Sequence, residues 1–350
     1  MPPLRLTVDA QVVAQDTRGI GRYARAILRR LATRDDVALT LLAEGLFPGR
    51  RQAAFARALG TNAFDIRGGV GRDTELVWHP ANGTFFPSGV PSVATIHDAV
   101  PFRYPDPDPK RREHAQSPFL RSARTAARVI AVSEFGAGEV HELLGVARDK
   151  IDVIPHGVDV SFSPGVAEPL PPPLQGCTYI LFVGDPIAEP RKNFDLLYRA
   201  YRQAWPDGDG PLLAIVGPKA PQLPGAVHVG ELGDDLAAEG NTALRACYRG
   251  ARLLALASYH ETFGMPMVEA MACGTPVVAS RAGSLPEVGG DAALFLPPDD
   301  ADAWSAGLRR VASDPMVRER LVLAGLGRAA EFSWDESAAR HFELFCEVAR

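Results

Sequence analysis

The sequence predicts an α/β protein built from two parallel, doubly wound units in tandem. Three observations lead there. Short apolar runs alternate with longer helix-period patterns along most of the chain, the pattern of successive parallel βα units. The alternation stops at residues 161–176, which hold five prolines and no strand-like run, and then starts again. The chain has 350 residues, comfortable for two domains, and its 46% hydrophobic and 23% charged content supplies two ordinary cores.

In the first half the strand candidates are residues 5–8, 38–42, 76–79, 93–97 and 129–132, with 152–155 as the last. Each is a short apolar run of strand length, as in Leu76-Val77-Trp78. Helical spacing falls between them at 21–32, 110–127 and 136–144. In the second half a strand at 179–183 ends at Gly184, a helix covers 194–205, and a strand at 212–216 ends at Gly217. Residues 226–229, 253–257, 276–279 and 293–296 continue the series. The expected domains are therefore 1–158 and 178–332, a Pro-rich linker at 159–177, and a tail at 333–350 that turns helical after Phe332-Ser333-Trp334-Asp335-Glu336. In such sheets ligands bind beyond the carboxyl ends of the strands.

Composition excludes several classes. A net charge of −5 gives no support to bulk nucleic-acid binding. Cys177, Cys247, Cys273 and Cys346 are far apart and form no C-x-x-C, which reads as reduced thiols in a cytoplasmic protein. The eight histidines show no metal-ligand spacing. The segment Met1-Pro2-Pro3-Leu4-Arg5-Leu6 has no signal-peptide core, and no apolar run approaches the ~18 residues of a membrane span. Peripheral contact with the inner face of a membrane stays open.

The most informative stretch is His260-Glu261-Thr262-Phe263-Gly264-Met265-Pro266-Met267-Val268-Glu269. Gly-Met-Pro reads as a helix start, with Pro266 at the first position, where its missing N–H costs nothing. Glu269 falls about one turn in, and Glu261 lies in the preceding loop. Free N–H groups at such a start attract anions. A helix N-terminus beside two acceptor-only carboxylates suits a ligand that is both phosphorylated and rich in hydroxyls, such as a nucleotide sugar.

This stretch, continued by Ala270-Met271-Ala272-Cys273-Gly274-Thr275-Pro276-Val277-Val278-Ala279, resembles the Glu-x7-Glu signature of the retaining glycosyltransferases of family 4. The resemblance covers nearly the whole chain and implies the GT-B fold: two Rossmann-like domains facing across a cleft, the second supplying most of the donor site, with a C-terminal helix crossing back to the first. It implies that Glu269 binds ribose hydroxyls, that Glu261 holds hydroxyls of the donor sugar, and that the amides near Gly264–Pro266 bind the sugar or the β-phosphate, with Phe263, Met265 and Gly184 in the donor pocket.

Glu189-Pro190-Arg191-Lys192-Asn193 follows the strand that ends at Gly184. A planar guanidinium and a mobile ammonium side by side can clamp a diphosphate. The resemblance assigns Arg191 and Lys192 to the diphosphate leaving group, in place of a metal ion, so neither metal nor cofactor is expected. Thr17-Arg18-Gly19-Ile20-Gly21-Arg22-Tyr23 is a Gly-rich turn that resembles the opening of family members using GDP-mannose-like donors, and it puts Gly19 and Gly21 near the donor phosphates or the acceptor. Thr95-Ile96-His97-Asp98 matches the family's His-Asp motif, which implies a His97 hydrogen bond to a sugar hydroxyl or to the reacting centre. Ser133 reads as a helix N-cap, with a ligand contact as the alternative. His156 and Asp159 read as structural or hinge-related, Glu287 as structural and His260 as a loop residue. The arginines at 22, 25 and 29, with Arg30 and Arg34 beside them, read as a solvated helix face, the alternatives being an anionic lipid surface or a phosphate-bearing acceptor.

Two departures stand out against the family pattern. Asp185-Pro186-Ile187-Ala188 is slightly longer than usual, and Thr262 stands where glycine is common. The function implied is transfer of a hexose from a GDP-, UDP- or TDP-linked donor to a hydroxyl of a glycan, lipid-linked sugar or natural product, by front-face attack. The alternatives are an epimerase or phosphorylase-like relative, or a non-catalytic nucleotide-sugar-binding subunit, which should have gaps among Arg191, Lys192, Glu261 and Glu269. The Ala-, Arg-, Gly- and Pro-rich composition suggests a bacterial source.

Overall fold

The computed structural model describes every residue except Met1 and residues 17–18, 44–47, 84–87, 167 and 234–240. The chain divides into two compact units, one of residues 1–157 with 334–350, the other of residues 158–333.

The first unit runs β1 (Leu4–Asp9), α1 (Gly19–Leu31), β2 (Val37–Leu42), α2 (Gln52–Leu59), β3 (Asp65–Arg67), β4 (Leu76–His79), β5 (Ser92–Ile96), α3 (Val100–Arg103), α4 (Pro109–Thr125), β6 (Arg128–Ala131), α5 (Glu134–Leu144) and β7 (Ile151–Val153). The strands form one parallel sheet in the order β3-β2-β1-β4-β5-β6-β7. β1, β4 and β5 are almost wholly buried, as strands covered on both faces must be.

The second unit runs β8 (Tyr179–Val183), α6 (Phe194–Ala204), β9 (Leu212–Val216), β10 (Ala226–Gly230), α7 (Thr242–Gly250), β11 (Leu253–Leu256), α8 (Met265–Ala272), β12 (Val277–Ser280), α9 (Leu285–Gly289), β13 (Ala293–Leu296), α10 (Ala301–Ser313) and α11 (Pro315–Ala329). Its parallel sheet has the order β10-β9-β8-β11-β12-β13. α6 and α10 close one face over Phe182, Leu197, Ile215 and Trp304. The strand order reverses between β1 and β4 in the first unit and between β8 and β11 in the second, and those are the places where a doubly wound sheet opens a crevice.

The last helix, α12 (Trp334–Val348), belongs to the first unit and packs along α1. A directed chain of hydrogen bonds anchors it. The Ser337 carbonyl can only accept, so His341 Nδ1 carries the proton at 2.6 Å and Nε2 accepts from Tyr23 Oη at 2.5 Å. Tyr23 in turn accepts from Thr95 at 2.9 Å, and Thr95 accepts from Trp78 Nε1 at 3.1 Å.

Residues 159–177, expected as a semi-rigid linker, are part of the second unit. Glu168 pairs with Arg245 and Arg249 of α7, Arg249 Nε donates to the Ser163 carbonyl at 2.7 Å, and Leu174 is fully buried. The prolines stiffen a segment that is held at Ser161, Ser163, Glu168 and Leu174. The arginines of α1 also differ from a solvated or lipid-facing stripe. Arg25 is buried and donates to the Val13 and Asp16 carbonyls, and Arg29 grips the Ala58 carbonyl with two N–H groups. Arg30 pairs with Asp335 of α12. Among the described residues no helix is long and apolar enough to cross a membrane.

Candidate active site

The crevice of the second unit is built by the loops after β8 and β11. Gly184 leaves β8 with φ +150°, and its N–H donates to the Val216 carbonyl at 2.9 Å. A Cβ on Gly217 would lie 2.1 Å from the Gly184 oxygen, so the two strand ends cross with no room for a side chain. The stretch Asp185–Ala188 is a self-capped turn. Asp185 Oδ1 accepts from the N–H groups of Ile187 and Ala188, which hold its carboxyl below the ordinary range. A single 3-10 turn, Pro190–Lys192, follows. Asn193 ends it at φ +55°, with its amide donating to the Ala257 and Pro298 carbonyls at 3.1 and 2.7 Å. Those two bonds hold a non-glycine residue in the left-handed region and fix the direction of the Arg191–Lys192 pair.

Glu261 is the focus of the site. It is buried, and its Oε1 accepts from Lys192 Nζ and from Ser258 Oγ, both at 2.7 Å. Arg191 Nη1 stands 3.7 Å from Oε2, and Arg191 also pairs with Glu189 at 2.8 Å. Burial alone would raise the Glu261 pKa. The Lys192 and Arg191 charges and the bonds from Lys192 and Ser258 outweigh burial and hold it below its ordinary 4.5. Its backbone is gripped as well: the Glu261 carbonyl accepts from Ser284 N–H at 2.9 Å and Ser284 Oγ at 3.0 Å. Gly283, at φ +57°, makes this possible, because a Cβ there would sit 2.3 Å from the Glu261 oxygen.

α8 opens with Gly264 as its cap at φ +87°, so Met265 is the first helical residue and Pro266 the second, one position later than expected. Phe263 is buried edge-on against Phe332 at 5.4 Å. Glu269 lies one turn into the helix, buried, and accepts from the Tyr248 hydroxyl at 2.8 Å.

The remaining sequence-predicted residues belong to the first unit. His97 follows β5 and is buried; its backbone N–H donates to Asn82 Oδ1 at 2.7 Å and its Nε2 lies 2.8 Å from the Pro80 carbonyl. A carbonyl only accepts, so Nε2 carries the proton and Nδ1 is the lone-pair side. Burial lowers the His97 pKa below 6.5, against the Pro80 bond and the charges of Asp98 and Asp16. The ring stacks on His156 at 5.4 Å and meets Tyr23 edge-on at 4.6 Å. Ser133 caps α5 by accepting from Gly136 N–H at 2.9 Å. Gly19 begins α1 in open space, whereas a Cβ on Gly21 would lie 1.9 Å from the Asp16 oxygen, so Gly21 is required by its own turn. Thr17 and Arg18 lie outside the described residues.

The structure thus brings Gly184, Arg191, Lys192 and Glu261 into one cluster and places Gly264 and Glu269 on the helix that follows. Sequence reasoning assigned no role to Ser258, Gly283, Ser284 or Tyr248; a glycine three residues beyond a strand end was the one available signal, at Gly283.

The description "Glycosyl transferases group 1" matches residues 177–314, and "Glycosyltransferase Family 4" matches residues 74–162. The chain is 31% identical to the O-antigen chain mannosyltransferase B of Escherichia coli, over 73% of this chain and 70% of that one. It is 30% identical to an MMP α-(1→4)-mannosyltransferase of Mycolicibacterium hassiacum and 29% to a D-inositol 3-phosphate glycosyltransferase of Salinispora arenicola, spanning 65% and 64% of their lengths. The fold is that of sucrose-phosphate synthase from Thermosynechococcus elongatus, with a TM-score of 0.70, 19% identity and 99% of both chains covered. Anabaena HepE, solved with UDP and glucose, gives a TM-score of 0.69 at 17% identity, with 99% of this chain and 100% of that one covered. Kinship with the Escherichia coli enzyme over most of both chains, on sheets of this topology, makes the chain a member of glycosyltransferase family 4 with the GT-B fold.

Proposed function

We propose that the enzyme moves a hexose, with retention of anomeric configuration, from a nucleoside diphosphate sugar to an acceptor hydroxyl. The observation that carries the reading is Glu261, a buried carboxylate kept ionised by Lys192 and Arg191 at the switch point of the second sheet. An ionised carboxylate is acceptor-only, so Glu261 suits sugar hydroxyls and is ill suited to donating a proton. Its tie to Lys192 and Ser258 also disfavours it as a nucleophile.

Lys192 has three N–H donors, of which Glu261 takes one, and it can reach a phosphate while keeping that bond. Arg191 and Lys192 would hold the diphosphate and stabilise the charge that develops as the sugar–phosphate bond breaks, with no metal ion in this reading. Gly184 lets the loop approach the donor, Phe263 shapes its pocket, and the N–H groups of Gly264 and Met265, at the helix start that Pro266 sets, serve the sugar or the β-phosphate. Glu269 takes the ribose hydroxyls. His97, neutral and with Nδ1 as its acceptor, takes a hydrogen bond from a sugar hydroxyl. Gly19, Gly21 and Ser133 are candidates for further contacts.

In this mechanism the acceptor oxygen bonds to the anomeric carbon on the face that the leaving phosphate vacates. The C–O bond to the β-phosphate breaks, and that phosphate oxygen takes the acceptor proton. The names of the Escherichia coli and Mycolicibacterium relatives support a GDP-mannose-like donor, while HepE was solved with UDP. A thermal-shift series with GDP, UDP, TDP and ADP and their sugar conjugates tests the reading. One base should stabilise selectively, by ~2.7 kcal/mol at a hundredfold excess over Kd, and Arg191→Ala should abolish the shift. No shift with any nucleotide would overturn it.

A further inference from the structure

We infer that Tyr248 is a positioning residue that sets the enzyme's preference for ribonucleotide over deoxyribonucleotide donors. The inference rests on Glu269 as the ribose-binding group, and it assigns the aim of that group to a residue from another element.

Tyr248 lies near the end of α7 and donates from its hydroxyl to Glu269 Oε2 at 2.8 Å, with both residues almost fully buried. A glutamate side chain has three torsions, and an unsupported carboxylate can swing away from a ligand. A fixed donor on Oε2 holds that oxygen in place and narrows the directions in which the other acceptor positions can point. The donor is itself immobile. The Tyr248 carbonyl accepts from Thr275 Oγ1 at 2.7 Å and from Ala251 N–H at 3.0 Å. The neighbouring Cys247 carbonyl accepts from Tyr179 Oη at 2.8 Å. The Tyr248 ring stands edge-on to Phe162 at 5.9 Å, and Phe162 lies in the segment that Arg245 and Arg249 hold through the Ser161 and Ser163 carbonyls. The hydroxyl is thus anchored through backbone and ring, and cannot follow Glu269 if that side chain moves. A phenylalanine would keep the ring contact with Phe162 but would offer no donor to Glu269.

The test is Tyr248→Phe, which keeps the ring. Isothermal titration is run with GDP and UDP and with their 2′-deoxy and 3′-deoxy forms. The wild type should bind the ribonucleotide of its preferred base about tenfold more tightly than at least one deoxy form. Tyr248→Phe should lose about tenfold in affinity for the ribonucleotide and almost nothing for the deoxy form, so the ratio collapses toward one. A variant that keeps the wild-type ratio overturns the inference. If the wild type shows no ratio, and Glu269→Gln changes all forms equally, the role of Glu269 is wrong and the inference falls with it. Should Tyr248→Phe not fold, Thr275→Val loosens the anchor on the Tyr248 carbonyl. It must then lower the ratio in the same direction, and an unchanged ratio refutes the proposal.

Discussion

Lys192→Met removes the nearest cation from a carboxylate that has no solvent to turn to. Lys192 and Glu261 are each 7% exposed and 2.7 Å apart. Deleting one end of a buried pair costs ~3–5 kcal/mol, because the partner stays charged and desolvated. Here Arg191 remains at 3.7 Å and Ser258 still donates, which puts the cost at the lower end, about 3 kcal/mol. For a unit of this size that lowers Tm by ~6–12 °C. The pH dependence carries the decisive sign. In the wild type the Glu261 pKa is depressed, so the pair's contribution is present above 4.5 and is lost as pH falls through the lower folded value. Without Lys192, burial has less to oppose it and the folded pKa moves upward. Protonation then relieves the variant, and the stability gap to the wild type should be widest near neutral pH and close as pH falls below 4.5. Urea unfolding across that range measures the gap. The double variant Lys192→Met with Glu261→Gln should be more stable than Lys192→Met alone, since both charges are gone. A gap that does not vary with pH, or a double variant no better than the single, would refute the assignment of Glu261 as an ionised, pair-dependent group.

Other outcomes follow from the same geometry. Glu261→Gln should lower turnover by ~10²–10³ while the Kd for the nucleoside diphosphate changes little, as titration and initial rates will show. Gly283→Ala should cost ~2–4 kcal/mol, since the added Cβ meets the Glu261 oxygen at 2.3 Å in a left-handed backbone; a Tm equal to wild type would count against it. His97, His156 and His341 are all buried and neutral, the last with its pKa pushed down to about 4 by burial. Their folded values lie below the ordinary 6.5, so stability should be full above 6.5 and fall as pH drops toward about 4. His341→Gln should flatten that slope in thermal unfolding of the first unit.

Much of the fold was legible because parallel strands buried on both faces are nearly continuous apolar runs; the strands at Leu76–His79, Tyr179–Val183, Leu212–Val216 and Ala293–Leu296 fall where the sequence predicts them. The short edge strand Asp65–Arg67 was not legible, because three half-exposed residues carry no pattern. The arginines of α1 misled for a different reason. Helical spacing shows which side chains share a face but not that the face meets backbone carbonyls, and Arg25 and Arg29 spend their charge there. The prolines of 161–176 likewise report stiffness, while docking depends on Glu168 meeting arginines 77 and 81 positions further along the chain.

What composition and spacing could not show is the bed under each motif, yet the topology makes it derivable. In a doubly wound sheet the loop after the first strand and the loop after the strand across the switch point lie side by side at the carboxyl edge and flank the crevice. In the second unit those are the loops after β8 and β11, so Lys192 and Glu261 come together across 69 residues. In the first unit the same rule joins the loop after β1, which leads to Gly19, with the loop after β4, which carries Pro80 and Asn82. His97 comes from the next strand over, and it is those two residues that fix its backbone and its tautomer. Each unit therefore presents one acceptor group whose state is set by a neighbouring loop. Glu261 is kept ionised by cations, and His97 is kept neutral by burial with its proton committed to a carbonyl. Within its own unit, neither side chain is arranged to donate a proton to a ligand.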